Sequence, residues 1–129
     1  MPFSFSASTA AEQRQELRTI IAGDIIVSAQ APDGHPLRDT HALTLSAKAC
    51  VDAGTPAIRC GGYGGIADIT SIGDAVDVPI FGLTKEGDSG VYITPTAASV
   101  KAVVDAGAAV VCADATGRPR PDLSLIHIS

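Results

Sequence analysis

The sequence predicts an α/β fold in which parallel strands alternate with helices. Three observations predict it: four short apolar runs rich in Val, Ile and Ala, helical patterns between these runs, and glycines where the helices end. Continuously apolar short runs are typical of parallel strands that are covered by helices on both faces. Since no reversal signal interrupts the repeated βα units, a barrel is favoured over a doubly wound sheet, although the pattern alone does not decide between them.

Eight elements are predicted, and they alternate in type along the chain. They are a helix at 8–22, a strand at 24–28, a helix at 42–53, a strand at 57–59, a helix at 66–75, a strand at 78–83, a helix at 94–107 and a strand at 109–113. Thr9 and Glu12 have the spacing of a capping box at the first helix, and Asp39 or Thr40 is expected to cap the second. Pro95 is expected at the first position of the last helix, after an extended stretch at 91–93.

Composition and charge exclude several classes of function. Hydrophobic residues make up 46% of the chain and charged residues 18%, so a packed core is expected and disorder is not. The formal net charge of −5 argues against binding to nucleic acid or to a membrane surface, because either partner requires a basic face. Neither a membrane-spanning apolar run nor a secretory signal pattern is found, so a cytoplasmic protein is expected.

No metal and no cofactor are expected. Cys50, Cys60 and Cys112 form no CxxC motif and are expected to be small core residues, and the three histidines are scattered along the chain. The glycine-rich segment at 61–65 lacks the G-x-G-x-x-G spacing of dinucleotide-binding loops, and no acidic residue follows at the distance needed to bind a ribose.

Polar residues stand at the carboxyl ends of the four predicted strands. They are Gln30 (with Ser28), Arg59, Lys85 and Asp114. In a βα barrel these ends form the face that carries the chemistry, so the side chains are expected on one rim. A guanidinium, an amide and a carboxylate together suit a hydroxylated, anionic small molecule. Lys85 ends a buried strand, where a desolvated amine is able to act as a base.

Each of these residues also has a purely structural interpretation. Lys85 could simply begin a solvated loop, and Gln30 could only stabilise its proline-containing loop. Arg59 could pair with Asp114, or Asp114 could cap the turn that follows it. It is less expected that all four are structural at once, because all four are predicted to share one face.

Five segments in order carry a more specific pattern. They are Ile-Val-Ser-Ala-Gln-Ala at 26–31, Ala-Ile-Arg at 57–59, Phe-Gly-Leu-Thr-Lys at 81–85, Val-Tyr-Ile-Thr-Pro-Thr at 91–96 and Ala-Asp-Ala-Thr-Gly-Arg-Pro-Arg-Pro-Asp at 113–122. Together they resemble the N-acetylmannosamine-6-phosphate 2-epimerase family over about residues 23–122. The last two segments are the specific part of the resemblance.

The resemblance implies a (β/α)8 TIM barrel that interconverts N-acetylmannosamine 6-phosphate and N-acetylglucosamine 6-phosphate, in sialic acid and amino-sugar catabolism, without a cofactor. The reaction removes a proton at C2, next to the C1 carbonyl of the open-chain sugar, and returns one to the opposite face. By resemblance, Lys85 is the catalytic proton-transfer residue, Arg59 binds substrate, Asp114 holds sugar hydroxyls and Gln30 matches the glutamine after the first strand. A homo-oligomer is compatible with a full-length enzyme of this family.

The chain also departs from the family pattern. Cys60, Gly61 and Gly62 follow Arg59, where the family more often has a small residue, Asn and Gly. A TIM barrel takes about 250 residues and eight βα units, and the family's catalytic glutamate and phosphate-binding loops are not found in this chain. We therefore expect residues 1–122 to be the N-terminal half of a barrel domain, a truncated fragment with about four parallel βα units and unpaired apolar edges that is inactive alone. Residues 123–129 are expected to be a tail foreign to the family, such as adapter read-through, with a divergent natural strand as the alternative.

Two other functions stay open at this point. One is another sugar-phosphate-binding TIM-barrel enzyme of the aldolase or decarboxylase type, which would use Lys85 differently. The other is a non-catalytic half-barrel that dimerises and binds sugar phosphates.

Overall fold

Helices and strands alternate throughout the computed structural model, which describes residues 2–118. The elements are α1 (Ala10–Ile21), β1 (Val27–Ala29), α2 (Thr40–Asp52), β2 (Ile58–Gly62), α3 (Gly65–Ala75), β3 (Ile80–Thr84), α4 (Ala97–Asp105) and β4 (Val110–Val111). The predicted α/β class is therefore confirmed. The tail predicted at 123–129 lies outside the described residues.

The four strands form one parallel sheet in chain order, β1-β2-β3-β4. Ser28 pairs with Arg59, and Arg59 pairs with Phe81, so these three residues lie side by side on adjacent strands. A helix lies between each strand and the next, which is the progression of a βα barrel. Because all the strands run in the same direction, their carboxyl ends meet at one edge of the sheet.

The hydrophobic core lies between the sheet and helices α2, α3 and α4. Its fully buried members include Ile58, Cys60, Ile69, Ile72 and Val103. Burying an isoleucine side chain stabilises the fold by about 1.5–3 kcal/mol. Helix α4 packs directly on the backbone of β3, because a Cβ atom at Gly82 would lie 2.8 Å from Val103 Cγ1 and 2.9 Å from Ala108 Cβ.

The starts of the first two helices follow the predicted capping residues. Thr9 Oγ1 accepts a hydrogen bond from the N–H of Glu12 at 3.2 Å, and Asp39 Oδ1 accepts from the N–H of Ala42 at 3.0 Å. Each bond satisfies an N–H that has no partner inside its helix. Of the two residues predicted to cap α2, Asp39 is the cap.

Helix α4 begins later than predicted. Pro95 was expected at its first position, but the helix starts at Ala97 and Thr96 is its N-cap. Thr96 Oγ1 accepts from the N–H of Ser99 at 3.0 Å. The prediction was wrong because Pro95 suits both a helix start and a buried turn, and here it is in the turn.

Thr94 fixes that turn, which lies between β3 and α4. Its φ of 44° lies in the left-handed region, which a β-branched residue adopts only at a cost of about 1–3 kcal/mol. The hydroxyl donates to the carbonyl of Cys112 at 2.6 Å and accepts from the N–H of Thr84 at 3.2 Å. These two bonds hold the backbone in place, so the turn is part of the sheet rather than of the helix.

The strands are offset from the predicted ranges. β1 begins at Val27 rather than at residue 24, and the side chain of Ile25 is 77% exposed. β4 has two residues where five were predicted, and the stretch at 91–93 contributes a single antiparallel bridge between Ile93 and Lys85. Both short strands lie at the edges of the sheet. Each therefore has a neighbouring strand on one side, which supports less regular pairing than two neighbours would.

β2 continues into residues that were predicted to be a loop. Gly61 and Gly62 pair with Leu83 and Thr84 of β3. Gly61 has a φ of 108°, and a Cβ atom there would collide with the carbonyl of Leu83. Glycine is therefore required for the close approach of the two backbones, rather than for a flexible turn.

Candidate active site

A cleft opens at the carboxyl edge of the sheet, at the ends of β1, β2 and β3. Its volume of about 370 Å³ lies within the range of small-molecule sites. The residues that line it are Ser28, Gln30, Ala31, Pro32, Arg59, Tyr63 and Lys85. Three of the four residues predicted from strand ends, Gln30, Arg59 and Lys85, therefore share one cleft.

The backbone of Lys85 is anchored on both sides. Its N–H donates to the carbonyl of Gly62 at 3.0 Å, which extends the β2–β3 ladder one residue beyond β3. On its other side, Lys85 forms the antiparallel bridge with Ile93. The residue is half-buried. Its position is that of a strand end rather than the start of a solvated loop.

The Lys85 amine lies beside an aromatic ring. Nζ is 5.5 Å from the centroid of the Tyr63 ring, within the range of a cation–π contact. The sequence pattern does not indicate Tyr63, because this residue stands within a run of glycines. The signal that could have found it is a lone aromatic directly after a buried strand, at the end that carries chemistry.

Gln30 forms the wall of the cleft next to β1. Its Nε2 donates to Ser28 Oγ at 2.8 Å, whereas its Oε1 is buried and has no hydrogen-bond partner among residues 2–118. Oε1 packs against Gly62, where any Cβ atom would collide with it. A buried acceptor without a donor is costly, so this oxygen suits a ligand that brings an O–H or N–H group.

Arg59 presents its guanidinium in the wall of the cleft. Among the described residues its side chain takes part in no hydrogen bond or ion pair, and the two ion pairs in that part of the chain are Arg38–Asp68 and Lys101–Asp105. The structural pairing with Asp114 that the sequence allowed is therefore not observed between these two residues. A half-buried guanidinium in a cleft wall suits an anionic or carbonyl oxygen.

Asp114 lies one strand away from the cleft. It follows β4, is half-buried, and its N–H donates to the carbonyl of Ile93 at 3.4 Å. It is not among the residues that line the cleft. The reason is geometric: the cleft lies over β1 to β3, and β4 is beyond β3 in the sheet.

A buried ion pair joins the loop after β1 to helix α3. Arg38 Nη2 donates to both carboxylate oxygens of Asp68, at 2.6 and 2.7 Å, and Thr40 Oγ1 donates to Oδ1 at 2.6 Å. Arg38 Nη1 also donates to the carbonyl of Ala31 in the cleft wall, at 3.2 Å. The carboxylate packs so closely against Gly64 that a Cβ atom there would overlap it. Sequence reasoning missed this pair because its members are 30 residues apart.

Cys60 lies in β2 beneath the cleft and is fully buried. Burial raises the pKa of its thiol to about 12, and the negative charge of Asp68 and the nearby Cys112 add to the rise. The thiol is therefore neutral near pH 7 and is not suited to act as a nucleophile. All three cysteines are free. The prediction that they are small core residues is confirmed for Cys60, which is buried, whereas Cys50 and Cys112 are half-buried.

A second cavity lies at the opposite end of helices α2 and α3. It has a volume of about 250 Å³ and is lined by Lys48, Val51, Asp52, Ala75, Val76 and Asp77. In a βα barrel, that end of the fold is associated with stability, whereas the carboxyl ends of the strands carry the chemistry. The cleft beside Lys85 is therefore the candidate active site.

The family model described as "Putative N-acetylmannosamine-6-phosphate epimerase" matches residues 43–128. The chain belongs to this family. Among its curated relatives, a "Putative N-acetylmannosamine-6-phosphate 2-epimerase" of Corynebacterium glutamicum (strain R) is 68% identical over 110 residues, which cover 85% of this chain and 47% of the relative. A relative of the same name from Cutibacterium acnes is 41% identical over 102 residues, or 79% of this chain and 43% of that protein.

The solved structure of the N-acetylmannosamine-6-phosphate 2-epimerase from Clostridium perfringens has the same fold. The TM-score is 0.75 at 30% sequence identity, over 92% of this chain and 49% of that chain. This likeness confirms the predicted TIM-barrel class for the four parallel βα units. The chain spans about half the length of the curated relatives that it matches.

No helix within residues 2–118 is both long enough and apolar enough to cross a membrane. No group of three or more His, Cys, Asp or Glu side chains in the same segment is placed to hold a metal ion.

Proposed function

We propose that this chain supplies one half of the catalytic barrel of an N-acetylmannosamine-6-phosphate 2-epimerase. The observation that carries the proposal is that Lys85, Arg59 and Gln30 line a single cleft in a chain of the epimerase family. The substrate is a phosphorylated N-acetylhexosamine, and no cofactor is required. The activity belongs to cytoplasmic amino-sugar and sialic acid catabolism.

In this proposal Lys85 transfers the proton at C2. A C–H bond next to a carbonyl is weakly acidic, so once the sugar ring is open a base close to C2 removes the proton while the negative charge that develops on the carbonyl oxygen is stabilised. The Lys85 amine is held at the end of β3, and within residues 2–118 it forms no ion pair that would have to break first. Its rigid backbone provides the positioning that proton transfer needs.

Arg59 and Gln30 hold the sugar against the amine. The Arg59 guanidinium donates to oxygen atoms of the open-chain sugar and stabilises negative charge that develops as the proton leaves. Gln30 Oε1, which is buried and unpaired within the described residues, accepts from a hydroxyl or from the N-acetyl N–H. Asp114, one strand away, accepts from hydroxyls at the far end of the sugar.

Charge determines the direction in which the substrate lies. Asp33 and Asp88 line a hollow of about 660 Å³ that adjoins the cleft, and Lys85 lies at the boundary of the two spaces as their one shared charged residue within residues 2–118. Two carboxylates disfavour a phosphate there, so the phosphate of the substrate points away from this hollow. The phosphate-binding loops, and the second proton-transfer group that inversion needs on the opposite face, belong to the other half of the barrel.

The test uses a complete barrel made by joining residues 1–118 to the C-terminal half of the Corynebacterium glutamicum relative. Proton NMR should show conversion of N-acetylmannosamine 6-phosphate to N-acetylglucosamine 6-phosphate. Lys85→Met should lower turnover by about 100-fold or more, because it removes the acid–base group. Lys48→Met, at an exposed lysine outside the cleft, should leave turnover unchanged.

Two results would count against the proposal. One is a joined barrel whose turnover does not depend on Lys85. The other is covalent trapping of substrate on Lys85 by borohydride, which indicates a Schiff base and therefore an aldolase-type enzyme.

A further inference from the structure

We infer that Tyr63 is a positioning residue that holds the Lys85 amine at the cleft and fastens the loop after β3. Its catalytic meaning rests on the proposed function, but its geometry does not. The ring centroid is 5.5 Å from Lys85 Nζ, and the phenol O–H donates to the carbonyl of Gly87 at 3.0 Å. One side chain thus contacts both the amine and the loop that follows it.

The ring of Tyr63 is placed by rigid backbone. It follows directly after β2, and the N–H of Gly64 donates to the carbonyl of Gly61 at 3.2 Å to close the turn around it. Gly64 in turn packs against the buried carboxylate of Asp68, which leaves no room for a side chain. The ring therefore has a fixed support next to the core.

Among residues 2–118, no carboxylate forms an ion pair with the Lys85 amine in place of the ring. Glu86 is adjacent to Lys85 in the chain, but its Oε2 accepts from Thr84 Oγ1 at 2.7 Å and from Ser99 Oγ at 2.5 Å. Asp33 and Asp88 line the outer hollow, and neither forms an ion pair with Lys85 within the described residues. The Tyr63 ring is thus the group that is positioned to orient the amine.

Tyr63 also separates the cleft from the outer hollow. Both spaces are lined by Pro32, Tyr63 and Lys85. A phenol tied to Gly87 at this boundary keeps the loop against the cleft and limits the positions open to the long lysine side chain. The ring and the hydroxyl have separate roles, so they can be tested separately.

The test measures acylation of single lysines by N-hydroxysuccinimide acetate in the full 129-residue chain, followed by mass spectrometry. The Lys85 amine must leave the ring before it meets the reagent. Tyr63→Leu should therefore raise its acylation rate about two- to fivefold, the range of a partly exposed cation–π contact. Tyr63→Phe keeps the ring and should leave that rate unchanged, while hydrogen exchange in the 86–90 loop becomes faster.

Internal controls are built into the chain. Lys48 and Lys101 are exposed and should react at the same rate in every variant. Tyr92→Leu removes the other tyrosine and should not change the Lys85 rate. The Cys60 thiol is buried and should resist alkylation as long as the core is intact. If Tyr63→Leu exposes this thiol, Tyr63→Met is used in its place.

The inference would be overturned if Lys85 were acylated at the same rate in the parent chain and in Tyr63→Leu (or its replacement Tyr63→Met) while Cys60 stayed protected. None of these measurements needs turnover, so they decide the inference even if the joined barrel is inactive. In an active joined barrel, Tyr63→Leu should lower kcat by more than it changes KM, because the amine is misplaced for the chemical step. A change confined to KM would also overturn the inference.

Discussion

Burial in β2 determines the behaviour of Cys60. The pKa of its thiol rises from 9.0 to about 12, first because burial disfavours the thiolate and then because Asp68 and Cys112 add unfavourable negative charge. A group whose pKa is higher in the folded state stabilises the fold at pH values where both states are protonated. As the pH rises above the pKa of the unfolded chain, that stabilisation is progressively lost.

We therefore predict a loss of stability between about pH 9 and pH 12 that depends on Cys60. Near pH 10.5 the loss should be about 2 kcal/mol, since each unit of pKa difference corresponds to about 1.4 kcal/mol. Urea unfolding of the parent chain and of Cys60→Ala, at pH 7 and pH 10.5, separates this effect from the titration of lysines and tyrosines. The prediction fails if the two proteins lose the same stability over this range.

The sequence predicted Gln30, Arg59 and Lys85 for the cleft, because the carboxyl ends of parallel strands meet at one edge of the sheet. It could not predict that Asp114 lies outside the cleft, since that depends on which strands the cleft covers. Tyr63 was missed for a related reason. Its importance comes from a 5.5 Å approach to Lys85, which no local pattern in a glycine-rich segment indicates.

One ion pair joins the loop after β1 to helix α3. Asp68 of α3 is fully buried, and its partner Arg38, in the loop between β1 and α2, is 15% exposed. The pair also binds the Ala31 carbonyl, so it connects α3 to the cleft wall. Removing one member of such a pair leaves an uncompensated buried charge, which is more costly than removing both members.

Asp68→Ala should accordingly lower the free energy of unfolding by about 3–5 kcal/mol. Replacing both members, as in Arg38→Met with Asp68→Leu, should recover part of that loss. The matched control is Asp105→Ala, which breaks the exposed Lys101–Asp105 pair and should cost at most about 1 kcal/mol. Equal destabilisation by Asp68→Ala and Asp105→Ala in urea unfolding would show that the buried pair has no special role.

Element types could be predicted from the sequence, whereas several boundaries could not. The helix caps at Thr9 and Asp39 are local signals and were found. The late start of α4 depends on Thr94, which bonds to Thr84 of β3 and to Cys112, directly after β4. The extension of β2 through Gly61 depends on contact with Leu83. Both features come from tertiary contacts that a pattern within one segment does not contain.

The sheet of the described molecule is open and has two edges. β1 and β4 each have a strand neighbour on one side within residues 2–118. Edge strands offer unpaired backbone groups to other chains, and Ile25, which is 77% exposed, lies next to one of these edges. The alternation of strands and helices and the two edge strands were predictable from the sequence, but the short lengths of β1 and β4 were not.

We predict that the isolated chain associates with itself and has negligible epimerase activity. Sedimentation velocity over about a hundredfold range of protein concentration should show species larger than a monomer, because mass action favours pairing of the edges. Assays of the same samples should show no turnover of N-acetylmannosamine 6-phosphate. A monomer that turns over this substrate would contradict both parts of the prediction.

In the proposed mechanism, Lys85 transfers the proton at C2 when the barrel is complete. The most direct measurement is deuterium incorporation at C2 of N-acetylmannosamine 6-phosphate in D₂O, using the barrel that joins residues 1–118 to the C-terminal half of the Corynebacterium glutamicum relative. We expect C2 to acquire deuterium when the joined barrel carries Lys85, and to acquire none when it carries Lys85→Met. Epimerisation without incorporation of solvent deuterium, or incorporation that persists without Lys85, would contradict it.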